Sequence, residues 1–210
     1  VSDLVDLGLF PLGMVLLPGE QVPLHVFEPR YRQLTADCVL EGSSFVIVQA
    51  GPAGAARVGC TARFETLLRR FVDGRMNVTV VGIDPVEIVE TLLPADARLY
   101  LAGRVRPLAD EPQEPDPALV EAVRVLYRRL SEQVTGEAKD PDIPEAVPVS
   151  YAVAGAVDLA VDAKQRLLEL RDEGKRLQAL RTILDSAQAG MDRVKLAGER
   201  AQRNGKVSGP

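Results

Sequence analysis

The chain has no tryptophan, and its nine other large aromatics, five Phe and four Tyr, leave aromatic content at 4%. Its core must therefore be built from Val, Leu and Ala. It has one histidine, His25, and two cysteines, Cys38 and Cys60. Two cysteines are too few for a disulfide framework and too far apart for a C-x-x-C motif, so buried thiols acting as small hydrophobes are expected. One His and two Cys are also a poor stock for zinc, which takes about four ligands. No metal or cofactor is expected. No run of about 20 apolar residues is present, which excludes a helix spanning a bilayer. The opening "VSDLVD" is acidic where a signal peptide is basic. The expectation is a cytoplasmic protein.

Two catalytic apparatuses are missing as well. A nucleotide-cradling G-x-x-x-x-G-K-[ST] loop is absent: Gly174-Lys175 is followed by Arg176, and Gly205-Lys206 by Val207. A Cys–His pair would need His25 and Cys38 within hydrogen-bond reach. His25 lies in an alternating segment with no nucleophile elbow nearby, so a structural or surface role is expected. No catalytic residue is assigned, and the protein is expected not to be an enzyme.

What is present is a chain of 210 residues with 46% hydrophobic content, enough for a sizeable core. Its charge is uneven. Residues 1–107 carry 10 basic and 12 acidic side chains, residues 108–161 carry 4 and 11, and residues 162–210 carry 11 and 7. A nucleic-acid binder would concentrate positive charge on one domain. Only the last segment leans that way, so nucleic acid is an unfavoured partner.

The stretch 9–34, "LFPLGMVLLPGEQVPLHVFEPRYRQL", sets the local pattern. Pro11, Pro18 and Pro23 remove backbone donors and disfavour helix before them, giving extended segments around a turn at Pro18-Gly19. Val22, Leu24 and Val26 alternate with period two. At Phe27-Glu28-Pro29-Arg30-Tyr31 the pattern reverses. Pro29 suits the first helical position, Glu28 the dipole-favoured N-terminus, and Tyr31, Leu34 and Cys38 recur at helical spacing up to Gly42. Phe27 and Tyr31 are expected to pack inward and fix how this helix leaves the sheet.

Strand signals follow at 44–50, 57–71 and after a hairpin turn at Asp73-Gly74. A break is expected at Asp84-Pro85, followed by "VEIVETL" and "LYLAGRVRPL". The resulting division is a β-rich unit over 1–107, a proline- and acid-rich linker or stiff surface loop over 108–117, a helical unit over 118–201 and a frayed tail over 202–210. Asp116-Pro117 opens a helix with Val120, Val123, Tyr127, Leu130 and Val134 on one face. A short helix opens at Asp162, and a long one near Asp172. In the long helix Leu177, Leu180, Leu184, Ala187, Met191 and Val194 form a seam. Residues 177–184 are expected to dock on the protein's own bundle. The part beyond Gly190 is expected to be freer, available for weak self-association or a partner.

Three stretches together resemble the N-terminal, substrate-binding domain of Lon proteases: residues 9–38, "VGCTARFE" with "VTVVGIDPVEIVE", and 150–184. The resemblance covers roughly residues 4–185, although "IDPVEI" lacks the basic, aromatic character common there in the family. It implies an α+β fold, a PUA-like barrel or half-barrel followed by a helical bundle. It also implies a non-catalytic role in binding client or unfolded polypeptide, alone or beside a protease or chaperone complex, in a chain that ends where the ATPase would begin. Peptide contact is placed on Met14, Val15, Leu16, Leu17 and Pro18, the first four a run of consecutive apolar residues beside the turn. Alternatively, Val15 and Leu17 fill the barrel end. Two further readings are RNA binding through Arg69, Arg70 and Arg75, and an adaptor docking through its C-terminal helices.

Overall fold

The computed structural model of the protein describes residues 4–204 except 53 and 96, with side chains as far as residue 197. Strands β1 (Val5–Leu12) and β2 (Gln21–Val26) precede helix α1 (Pro29–Glu41). Then come β3 (Phe45–Gly51), β4 (Gly54–Ala55), β5 (Val58–Arg70), β6 (Met76–Leu92) and β7 (Ala102–Pro107). Helices α2 (Pro117–Thr135), α3 (Val149–Gly155), α4 (Val161–Glu169) and α5 (Glu173–Asn204) complete the chain. The α+β order anticipated from the sequence, barrel first and bundle second, is observed.

The strands run β1-β7-β6-β5-β3, and a parallel pairing of β1 with β3 (Gly8↔Phe45 to Leu12↔Gln49) closes the barrel. The other pairings are antiparallel. β6 is long enough to serve twice. Its first part pairs with β2 and its last part with β7, while β5 lies along its opposite side. The distal part of the β5–β6 hairpin, with β2, therefore projects from the barrel as a three-stranded arm. Gly74, in the left-handed region at φ 83°, makes the hairpin turn, as Asp73-Gly74 foretells.

The break expected at Asp84-Pro85 does not occur, because β6 runs through it. Pro85 sits opposite Cys60 beside a register shift between Cys60 and Ala62. A strand tolerates proline at such an irregularity because a ladder donor is already missing there. The Thr61 hydroxyl accepts from the Asp84 amide and donates to the Asp84 carbonyl, each at 3.0 Å, holding the irregular pair together.

"FVIV" at the start of β3 is buried on both faces. Phe45 and Ile47 join Phe10, Tyr31 and Leu34 in the main core. Val46 joins Leu9, Val86 and Val105 in a smaller one. A run apolar on every residue is what two-sided burial demands. The main core is continuous across the two halves of the chain, since Val123, Leu126, Leu167, Leu177, Leu180 and Leu184 belong to it. Helix starts follow the sequence signals: Pro29 follows the N-cap Glu28, and Asp116 caps α2 through the Ala118 amide at 2.9 Å. On α2, Val123 and Leu130 are buried and Val120 and Tyr127 half-buried, whereas Val134 is exposed. Leu177, Leu180 and Leu184 of α5 are buried, Met191 half-buried, and Ala187 and Val194 exposed. Residues 202–204, expected to be frayed, continue α5. The rest of that tail, 205–210, lies outside the described residues.

Segment 108–117 has no strand or helix before Pro117, and its first residues are tied down. Leu108 donates to Pro85, Glu111 donates to Arg171, and the Leu108 carbonyl accepts from Arg171 at 2.9 Å. The centre of this junction is Arg176, the one fully inaccessible charged side chain among the described residues. Its guanidinium forks onto Asp110, reaches Glu173 at 2.8 Å, the Ser150 hydroxyl at 3.0 Å and the Leu170 carbonyl at 2.8 Å, and lies 4.3 Å from the Tyr151 ring centre. Burial works against the charge, but Asp110, Tyr151 and Glu173 outweigh it and hold its pKa above the ordinary value. Arg176→Met should lower stability by about 3–5 kcal/mol, because it strands two carboxylates in a partly desolvated site. Chemical denaturation measures this directly, and a midpoint matching wild type would show that the network contributes nothing.

Candidate functional site

Val15, Leu16, Leu17 and Pro18 are all buried and Met14 is half-buried. The expectation of an exposed apolar face at 14–18 is corrected on that point. In an extended segment neighbouring side chains face opposite ways. Here both directions are covered, since strand and helix residues join Val15, Leu16 and Leu17 in one core. Glu20 receives Lys164 of α4 at 2.5 Å and the Leu17 amide at 3.1 Å, fastening the turn to the helical half. The turn also lies directly on Gly82, where any Cβ would overlap the Leu17 carbonyl. Gly19, at φ 78°, donates to Gly82 and Gly82 donates to Glu20.

The structural motif at 27–31 divides. Tyr31 is buried and stacks on Phe10 with centroids 4.1 Å apart, as expected. Phe27 is 57% exposed, contrary to expectation. The alternation of β2 explains it: Val22, Leu24 and Val26 face in, so His25 and Phe27 face out. Glu28 provides the N-cap backbone, but its side chain pairs with Arg30 at 2.7 Å rather than with the helix amides. Arg30 also lies over the Tyr31 ring at 4.6 Å.

His25 is exposed and pairs with Asn77 at 2.6 Å. Cys38 is buried on α1, its thiol 4.0 Å from the Ser44 carbonyl. The two do not form a nucleophile–base pair. Burial pushes the thiols of Cys38 and Cys60 up, the opposite of the shift that activates a thiolate.

What the arm does present is a groove of about 530 Å³ between α1 and the β5–β6 hairpin. α1 contributes Thr35, Ala36, Val39 and Leu40, and the hairpin contributes Phe64, Leu67, Arg70, Met76 and Val78. Leu40 is 84% exposed, Val39 65% and Leu67 57%. The groove exists because β5 pairs with β3 only at Cys60–Ala62 and then continues with β6 on one edge and α1 beside the other. Irregularities between Phe64 and Thr66 and between Leu67 and Arg69 twist that free edge. On the arm's other face His25, Phe27 and Phe71 cluster, with ring centroids 5.8 and 6.0 Å from His25. The guanidinium groups of Arg69 and Arg75 lie 4.7 and 5.3 Å from the Phe71 ring.

The groove was absent from the sequence-based assignment, although signals for it exist. Tyr31, Leu34 and Cys38 account for the buried stripe of α1, which leaves Val39 and Leu40 off that face. Leu67 and Leu68 are adjacent in a strand, so one of them must point away from the core. The arginines of the RNA reading lie on this arm, Arg70 in the groove and Arg69 and Arg75 over Phe71.

A family model described as the ATP-dependent protease La (LON) substrate-binding domain matches residues 6–186. Among solved structures, a Lon N-terminal domain protein from Xanthomonas campestris is 28% identical, with a TM-score of 0.66, covering 84% of this chain and 96% of that one. The N-terminal domain of a Mycobacterium avium complex Lon protease has the same fold at 17% identity, with a TM-score of 0.66 over 86% of this chain and 98% of that one.

Burial separates the two apolar surfaces experimentally. Leu17→Ala should cost about 2–5 kcal/mol, as a core truncation does. Leu40→Ala and Phe27→Ala should stay within about 0.5 kcal/mol of wild type. Urea denaturation of the three variants checks the assignment, and a large loss at Phe27 would restore the inward packing.

Proposed function

We propose that this chain, which belongs to the ATP-dependent protease La (LON) substrate-binding domain family, is a non-catalytic polypeptide-binding module whose contact surface is the groove between α1 and the β5–β6 hairpin. The observation that carries this reading is the contiguity of Val39, Leu40 and Leu67, exposed together beside an otherwise well-filled core. A folded protein keeps its apolar side chains inside, whereas an unfolded one displays them. A standing apolar groove therefore discriminates between the two.

Magnitudes set the character of the binding. Burying one Leu- or Val-sized side chain contributes roughly 1.5–3 kcal/mol. Association costs at least about 4 kcal/mol in lost freedom. One anchor cannot hold a client, and several together hold it weakly. Weak, multi-anchor contact suits a module that must release what it binds. Its partners are client polypeptides, and a protease or chaperone complex would act on what it holds. A second reading, RNA binding, draws on the Phe27, His25 and Phe71 rings beside Arg69, since aromatic platforms with guanidinium groups stack on bases.

Leu40→Asp and Leu67→Asp place a charge in the groove without touching the core. Each should leave the thermal midpoint unchanged and weaken binding of a permanently unfolded, labelled client at least about tenfold, the effect of losing one anchor. Anisotropy titration measures this. Undiminished binding by both variants would move the site elsewhere, and retention on immobilised RNA that survives both would favour the second reading.

A further inference from the structure

The face of the arm turned away from the groove carries its own charge pattern. Residues opposed in an antiparallel pair point to the same side, so the strand register lays this face out in rows. His25, Asn77 and Arg69 form one row, and Gln21, Val81 and Arg63 form another. Pro23 and Thr79 lie between them. Gln21, Pro23, His25, Arg63 and Arg69 are all exposed. The side chains of Arg63 and Arg69 form no ion pair and no hydrogen bond with the described residues, and Arg69 only lies against the Phe71 ring. Elsewhere in the barrel half, Arg30, Arg57, Arg75, Arg104 and Arg106 pair with carboxylates. None of the residues in these rows or between them is acidic. Asp73, at the hairpin turn, is held by Arg75 at 2.7 Å, and Glu65 lines the groove with Arg70. In a chain with 30 acidic residues and a net charge of −5, this face reverses the sign locally.

We propose that this face docks an extended, acidic segment of a partner polypeptide, independently of the groove. Asn77 and Val81 are four positions apart on β6, which sets the two rows roughly 13 Å apart, the span of four extended residues. Two carboxylates at that spacing reach Arg69 and Arg63 together, and each guanidinium fork can take its carboxylate through two parallel hydrogen bonds. An apolar side chain next to the first carboxylate meets Phe27, which is 57% exposed and stacks beside His25. The count of charges favours a peptide over a nucleic acid. Two free guanidinium groups neutralise about two phosphates, and the net negative charge of the chain repels the rest of a long polyanion. The rings point the same way. Phe71 is half-buried with the guanidinium groups of Arg69 and Arg75 already against it, which leaves Phe27 as the open phenyl ring of this face.

The test uses the full chain and a short labelled peptide that carries one phenylalanine and two glutamates four positions apart. Two further peptides replace the glutamates by glutamine or by lysine. In anisotropy titrations at low salt the glutamate peptide should bind about fivefold tighter than the glutamine one, the scale of two exposed ion pairs. High salt should erase the difference. Arg63→Gln with Arg69→Gln should abolish the preference, and Arg63→Glu with Arg69→Glu should turn it toward the lysine peptide. Both double variants alter exposed side chains and should keep the wild-type thermal midpoint. Phe27→Ala should weaken the glutamate and glutamine peptides alike. An excess of an unlabelled, unfolded client without acidic residues should leave the glutamate peptide bound. Equal affinity for the three peptides, or a glutamate preference that survives both double variants, overturns the proposal. Displacement by the client places the acidic peptide in the groove and overturns it as well. Tighter binding of an oligouridylate, lost in the double variants, overturns it in favour of RNA. Salt-sensitive self-association of the chain without peptide, lost in the double variants, overturns it in favour of a second copy.

Discussion

One buried guanidinium ties the two halves of this protein together. Arg176 meets the segment leaving β7 through Asp110, helix α3 through Ser150 and Tyr151, the end of α4 through the Leu170 carbonyl, and its own helix through Glu173. A lysine could not replace it, because only a planar fork with five donors reaches partners in several directions at once. Arg171 adds bonds to Leu108 and the Tyr151 hydroxyl. Between them these residues fix the course of the chain from barrel to bundle. The helices can then cover the turn at 14–18 and complete a core that neither half would fill alone.

That division of labour accounts for the location of the apolar groove. The side of the barrel nearest the helices is sealed, and its most hydrophobic stretch, "GMVLLPG", is consumed in packing. The arm built from β2, β5 and β6 projects away from the bundle, and α1 covers only part of it. A chain poor in aromatics offers Val and Leu there instead, while the exposed Phe27 and the half-buried Phe71 gather on the opposite face. The two faces differ in chemistry, aliphatic beside Arg70 and aromatic beneath Arg69 and Arg75, although they share the same three strands.

Much of the fold was legible because local signals and tertiary demands agreed. Pro29 at the first helical position and the Asp116 cap before Pro117 start helices where those signals say they should, Asp73-Gly74 turns a hairpin, and Leu177, Leu180 and Leu184 dock. The change of period near residue 107 supplied the order of β-rich and helical units, and the resemblance carried by residues 9–38 added that the first unit is barrel-like. Asp84-Pro85 misled because proline signals a break, and only the pairing partner reveals an irregularity that accommodates it. The site was less legible. "GMVLLPG" looks exposed to anyone who cannot see the helical half, since its covering comes from residues more than a hundred positions away. Phe27 was misplaced although the alternation of β2 pointed outward, because the helix-start motif beside it invited an inward reading. Val39, Leu40 and Leu67 went unremarked because their exposure follows from what α1 and β5 lack as neighbours, which no local pattern states.

Barrel closure also imposes an order in time. β1 pairs with β7 as well as β3, joining residues about a hundred positions apart, such as Val5 and Val105. Contacts of such long sequence separation form late, because the intervening chain must lose its freedom before the pairing contributes anything. The walls of the groove, by contrast, come from residues 35–78. During synthesis α1 and the β5–β6 hairpin leave the ribosome before β7 does. Every residue that lines this apolar groove is therefore synthesised while the barrel is still open.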